Sequence, residues 1–202
     1  SLTLERTIFI IKKAQSHFRA ADDQREFHRA TGFLFLLKAI KEGIIRRKDK
    51  AFVSNLTQAN HHFARCQDAK YVNLTAGLVL FSQAISLSDE SSKKAFKKSA
   101  EILETIKEGL YHLAYYQYYR IEAHQNLHNY KYSHECLQNA AKHLESWIES
   151  LQDRPVPKDD RLIPPRFNML VPFWKAEAYH LKGIVEKNQS KRTELFKAAL
   201  QS

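Results

Sequence analysis

Apolar residues in this chain return every three or four positions, as in Leu4, Ile8, Ile11 and Phe18, and again in Phe33, Leu36, Leu37, Ile40 and Ile44. That interval lines one side of an α-helix, whereas strands alternate at two, so the pattern predicts an all-α chain with no strand. Helix starts are marked by capping residues. Asp23 with Glu26 three residues on has the spacing of a capping box, and Asp49, Ser88 and Ser190 each precede a new periodic run. Together these signals predict about nine helices, over 3–21, 24–46, 50–67, 70–87, 90–107, 109–127, 131–151, 167–188 and 191–201. Most connections are then so short that consecutive helices must turn back on one another and pack antiparallel.

The exception is "DRPVPKDDRLIPPR", which holds Pro155, Pro157, Pro164 and Pro165. Proline fixes its own φ and disfavours helix in the residue before it, so 152–166 is expected to be an extended connection. It would join N-terminal hairpins over 1–151 to a C-terminal hairpin over 167–202 within one continuous domain. Pro172 is placed near a helix start, where a missing N–H is tolerated.

Internal repetition is visible at an offset of 41: "FKKSAEILE" (96–104) aligns with "LQNAAKHLE" (137–145), pairing Phe96 with Leu137, Ala100 with Ala141, Leu103 with Leu144 and Glu104 with Glu145. "AEAYHLKG" (176–183) followed by "LFKAAL" (195–200) places Ala176, Ala178, Tyr179 and Gly183 ahead of Phe196, Ala199 and Leu200. This stretch resembles a tetratricopeptide repeat, and "NYKYSHECLQNAA" (129–141) is similar to the turn and second helix of the same family through Tyr130, Leu137 and Ala140. The resemblance covers residues 70–201, with Lys182 where leucine is usual and a spacing of 41 in place of the family's ~34. It implies antiparallel hairpins stacked as an α-solenoid, whose first helices line a groove that holds a peptide or helix of another protein.

The densest aromatic stretch is "GLYHLAYYQYYR" (109–120). At ~100° per residue Tyr111, Tyr115 and Tyr118 share a face with Glu122, Tyr119 flanks it, and Tyr116 points elsewhere with Ala123 and Leu127. In one register of the repeat, Tyr115, Tyr118, Glu122, Gln125 and Asn126 line the groove. Shifting by one residue buries Tyr116 and Tyr119 instead. The partner-binding residues expected from the first register are Tyr111, Tyr115, Tyr118, Glu122 and Asn126, with His180 and Lys187 at the matching positions of the last hairpin.

Charge sharpens the choice of partner. Lysine and arginine outnumber aspartate and glutamate 32 to 22, a net charge of +10, which draws the chain toward anionic surfaces. Two clusters carry much of it: Arg46, Arg47 and Lys48 in "RRKDK", and Lys93, Lys94, Lys97 and Lys98 in "KKAFKK". They suit an acidic peptide or helix, and as the alternative reading a nucleic acid or an anionic membrane; stacking aromatics interleaved with the basic residues would favour the nucleic acid.

The remaining chemistry is sparse. His124 and His128 have helical i, i+4 spacing with His134 and Cys136 beyond, but a zinc site needs a tetrahedral set and a second shell, and no further ligand motif occurs. No glycine-rich phosphate loop, Gly-x-Ser-x-Gly elbow or His-Glu-x-x-His helix is present. The expectation is a protein without catalytic residues, metal or cofactor. Cys66 and Cys136 stand apart with no Cys-x-x-Cys partner, which suits a reducing compartment, the cytoplasm, with delivery into a host cell left open. Runs such as "GFLFLL" fall far short of the ~20 apolar residues of a membrane helix. The first residues, "SLTLERTIFIIKKAQ", read as an amphipathic helix and not as a signal peptide.

Overall fold

In the computed structural model, which describes residues 2–42, 50–107, 109–152 and 166–202, the three-four period becomes nine helices and, among those residues, no strand. They are α1 (Leu2–Ala20), α2 (Gln24–Glu42), α3 (Lys50–Arg65), α4 (Ala69–Ala84), α5 (Asp89–Thr105), α6 (Leu110–Gln125), α7 (Tyr130–Gln152), α8 (Arg166–Val185) and α9 (Gln189–Gln201). The proline-rich connection over 153–165 and the cluster Arg46, Arg47 and Lys48 lie outside the described residues, as does the cap expected at Asp49.

Several helices stop before their expected ends, and the stops have local causes. Gln67 ends α3 in the left-handed region at φ 58°, and the chain after α4 tightens, with Ser86 N–H donating to Gln83 O and Leu87 N–H to Ala84 O. Asp23 caps as expected, accepting from Glu26 N–H at 3.1 Å. At α9 the cap is Asn188 and not Ser190, since the Asn188 side chain accepts from Lys191 N–H at 3.1 Å. Pro172 is not at a helix start but inside α8, on an exposed position.

Consecutive helices pack against each other without interruption, from α1 on α2 through α8 on α9. Their pairing is antiparallel even across the undescribed connection: His134 near the start of α7 bonds Val185 O at the end of α8, while Trp147 meets Trp174. Even-numbered helices also touch one another, Phe33 of α2 against Tyr71 of α4 at 4.6 Å and Tyr116 of α6 against Glu177 of α8 at 3.0 Å. The result is an all-helical array of hairpins with the architecture of a helical-repeat solenoid.

The repetition extends to atomic detail. The odd helices α1, α3 and α5 are each followed by a non-glycine residue at positive φ: Asp22, Gln67 and Lys107. After α1 and α3 the next N–H reaches back five residues, Asp23 to Phe18 O and Asp68 to Phe63 O, both at 3.0 Å, so orphan helix carbonyls are satisfied. Asp23 and Asp68 then cap α2 and α4. In the pairs α2–α3, α4–α5 and α8–α9 a glycine lets a bulky side chain close in. A Cβ on Gly32 would meet Phe63 at 2.8 Å, on Gly77 Leu103 at 2.6 Å, and on Gly183 Phe196 at 2.4 Å. The offset of 41 recurs as well: Ser92 Oγ donates to Ala84 O and Ser133 Oγ to Ala123 O, each stitching an odd helix to the end of the one before. Leu103 and Leu144, aligned in sequence, are both fully buried.

Two clusters form the core. One gathers Leu36, Ala39, Phe52, Leu56, Ala59, Phe63 and Cys66 between α2 and α3. The other gathers Leu113, Tyr116, Ala140, Ala141, Leu144, Trp147, Ile148, Trp174, Ala178 and Leu181 across α6, α7 and α8.

Candidate interaction surfaces

α6 lies between α5 and α7, and this decides the fate of its tyrosines. The face carrying Tyr111, Tyr115, Tyr118 and Glu122 is half-buried against those two helices, so it is not the open groove wall the first register implied. Tyr115 donates to Glu104 of α5 at 3.1 Å, and its ring stands 4.9 Å from that of His143 on α7. Burial, and then Glu104, push the Tyr115 hydroxyl up to about 12. Tyr118 has Lys97 above its ring. The shifted register is the one observed. Tyr116 is 3% exposed in the core and Tyr119 packs against the same cluster, while Arg120 and Glu177 take the Tyr116 hydroxyl. Ala123 is buried beside them, but Leu127, expected to pack, is 67% exposed because α6 ends at Gln125.

Glu122 is the centre of a polar junction of three helices. It receives Lys93 of α5 at 2.8 Å and the Tyr132 hydroxyl of α7 at 3.0 Å, and Asn126, the C-cap of α6, also bonds it. Lys93 further contacts Gln125 at 2.7 Å and Glu90 at 3.1 Å. Hydrogen bonding to Lys93 lowers the Glu122 carboxyl below its usual range, the same bond raises Lys93, and Tyr132 is raised chiefly by its bond to Glu122. Of the basic cluster, then, Lys93 is paired inside the array, Lys97 covers Tyr118, Lys94 is 76% exposed beside Glu90, and Lys98 is exposed. His180 is exposed on α8 with Phe196 alongside. Lys187, expected at a groove position, is in the turn after α8 and on no helix face.

The histidines arrange themselves differently from the metal-like spacing. His128 is beyond the end of α6, so His124 and His128 are not an i, i+4 pair. Among the described residues no three His, Cys, Asp or Glu side chains converge to hold a metal. Two other pairs meet between helices: His28 Nδ1 and His62 Nδ1 at 3.0 Å, and His112 Nδ1 and His143 Nδ1 at 3.1 Å, one nitrogen donating and its partner accepting. Each pair carries a stacked ring, Phe35 on His62 and Tyr119 on His143. Burial lowers all four imidazoles, His143 to about 4. Sequence reasoning missed them. The signal was there as a long-range correspondence, since His28 and Phe35 stand 84 residues before His112 and Tyr119, and His62 stands 81 before His143.

Exposure identifies a surface that no motif announced. Antiparallel alternation puts the described turns from an even helix to the next odd one, those after α4, α6 and α8, on one edge of the array. Of ten exposed large hydrophobic residues among those described, six are on that edge: Ile85, Leu87, Leu127, Tyr130, Tyr132 and Ile184. The opposite edge turns through Asp22, Asp23, Gln67 and Lys107. A shallow depression of about 550 Å³ beside Glu104, Lys107, Tyr111 and His112 also opens on that opposite edge. Among the described residues no helix is long and apolar enough to cross a membrane.

The class these features define is an all-helical repeat array with one apolar edge. Compared with known proteins, the chain matches no family model, no curated protein and no solved structure.

Proposed function

We propose that this chain is a non-catalytic protein-interaction scaffold, of the tetratricopeptide kind in its sequence resemblance, that binds and thereby regulates a partner protein through an acidic peptide or helix. The observation that carries the reading is the collection of six exposed large apolar side chains at successive turns of one edge, since apolar side chains gathered on one side of a protein mark a binding site. Lys94, Lys131, Lys187 and Lys191, all exposed near the same turns, supply the positive charge that steers an acidic partner. The tyrosine face contributes rigidity from inside. Buried, unpaired Cys66 and Cys136 suit a reducing cytoplasm.

The alternative reading, nucleic acid or an anionic membrane, is weaker because Lys93 is committed to Glu122. Affinity capture with the native chain and with Leu87→Asp/Leu127→Asp tests the choice. The expected outcome is a partner retained by the native chain and lost, by about tenfold or more, in the variant. Retention of RNA or phosphatidylserine vesicles, lost in Lys94→Glu/Lys98→Glu and indifferent to the apolar change, would favour the alternative.

A further inference from the structure

Among the described residues, α1 packs chiefly on α2. Leu4, Ile8, Ile11 and Phe18 are drawn toward α2, while on the other side Phe9 is 67% and Ile10 57% exposed. Arg6 and Lys13 stand one turn before and one turn after this apolar pair, and Lys12 and His17 continue the exposed face. The acid of the helix, Glu5, is engaged by Lys41 at 3.2 Å.

From this arrangement we infer that the outer face of α1 docks an acidic amphipathic helix of a partner protein, added to the array as one more helix. The face has the spacing of a helix–helix contact, Arg6, Phe9, Ile10 and Lys13 at i, i+3, i+4 and i+7. Its chemistry specifies the complement: apolar side chains at the centre and carboxylates about one turn to either side. A second copy of this chain is disfavoured, because it would bring the same cations to the contact. The inference rests on the interaction reading above but uses a surface separate from the apolar edge.

The test is a titration of the isotope-labelled chain with a synthetic helix of about 20 residues, built from alanine with a central leucine pair flanked by glutamates, and with the same peptide carrying lysines for the glutamates. Saturable shifts centred on Arg6, Phe9, Ile10 and Lys13 are expected with the acidic peptide, weaker by about tenfold or more with the basic one. Phe9→Ser/Ile10→Ser should abolish binding without loss of helical circular dichroism, since both side chains are exposed. Arg6→Glu/Lys13→Glu should invert the preference between the peptides, and Leu127→Asp should leave binding unchanged. Absence of saturable binding, indifference to the charge reversal, or shifts centred on Leu127 would overturn the inference, the last while sustaining the edge as a binding surface. So would a dimer in sedimentation that Phe9→Ser/Ile10→Ser dissolves, or binding to phosphatidylserine vesicles with no peptide binding.

Discussion

His143 shows what a single residue does in this array. Free imidazoles titrate near 6.5, and the fold holds His143 down at about 4 while lowering His28, His62 and His112, in each case chiefly by burial. The charges around them are Arg65 and His61 at the first pair, and Lys142, Glu104 and Glu149 at the second. Between those pH values the unfolded chain binds more protons than the folded one, so stability is full above about pH 6.5 and is lost as pH falls toward 4. Urea titrations should show on the order of 1–2 kcal/mol less stability at pH 5 than at pH 7, after screening of half-exposed rings, and His112→Gln/His143→Phe should flatten that slope. Gly77 makes a second case: a Cβ there would lie 2.6 Å from Leu103, which is fully buried and cannot retreat. Gly77→Ala should therefore cost about 1–3 kcal/mol in thermal or chemical unfolding, despite alanine's better helix propensity. Neither residue's role was legible locally. A histidine or a glycine says nothing about which side chain will face it from 30 residues away, whereas Asp23 acts on its own neighbours and was readable directly.

Among elements, α6 is the one whose surroundings matter most. Its helix was plain from the sequence, but its rotation was not, because tyrosine at five positions serves equally as core or surface. Ala114 and Tyr116 settled inward and the Tyr115, Tyr118, Glu122 face turned toward α5 and α7, an outcome decided by neighbours and not by α6 itself. The Lys93–Glu122 pair, with side chains 18% and 13% exposed, ties α5 to α6. Removing only one partner leaves a charge in a half-dry junction. Lys93→Met and Glu122→Leu should each cost about 1–3 kcal/mol, and the double variant less than the sum, which a double-mutant cycle in urea measures. Helix starts were legible where a side chain caps within three residues, as at Asp23. Helix ends were less so, because Gln67 and Lys107 take the left-handed conformation that sequence assigns by habit to glycine.

At the scale of the whole molecule, stability in such an array is a sum of helix-on-helix contacts, with the ends least supported. Hydrogen exchange should therefore report weaker protection in α1 and α9 than in α6, whose buried residues share a cluster with α7 and α8. The hairpin architecture was legible from the apolar period and short connections, and the 41-residue offset correctly matched Leu103 with Leu144. The apolar edge was not, since Ile85 and Leu87, Leu127, and Ile184 belong to three different hairpins and only antiparallel stacking lines them up. That edge is also a ruler. Packed helices stand about 8–10 Å apart, so a ligand lying along it meets an apolar foothold roughly once per hairpin. An extended segment would answer with an apolar residue about every third position, and a helix with one about every seventh, so the partner's own sequence should carry that beat.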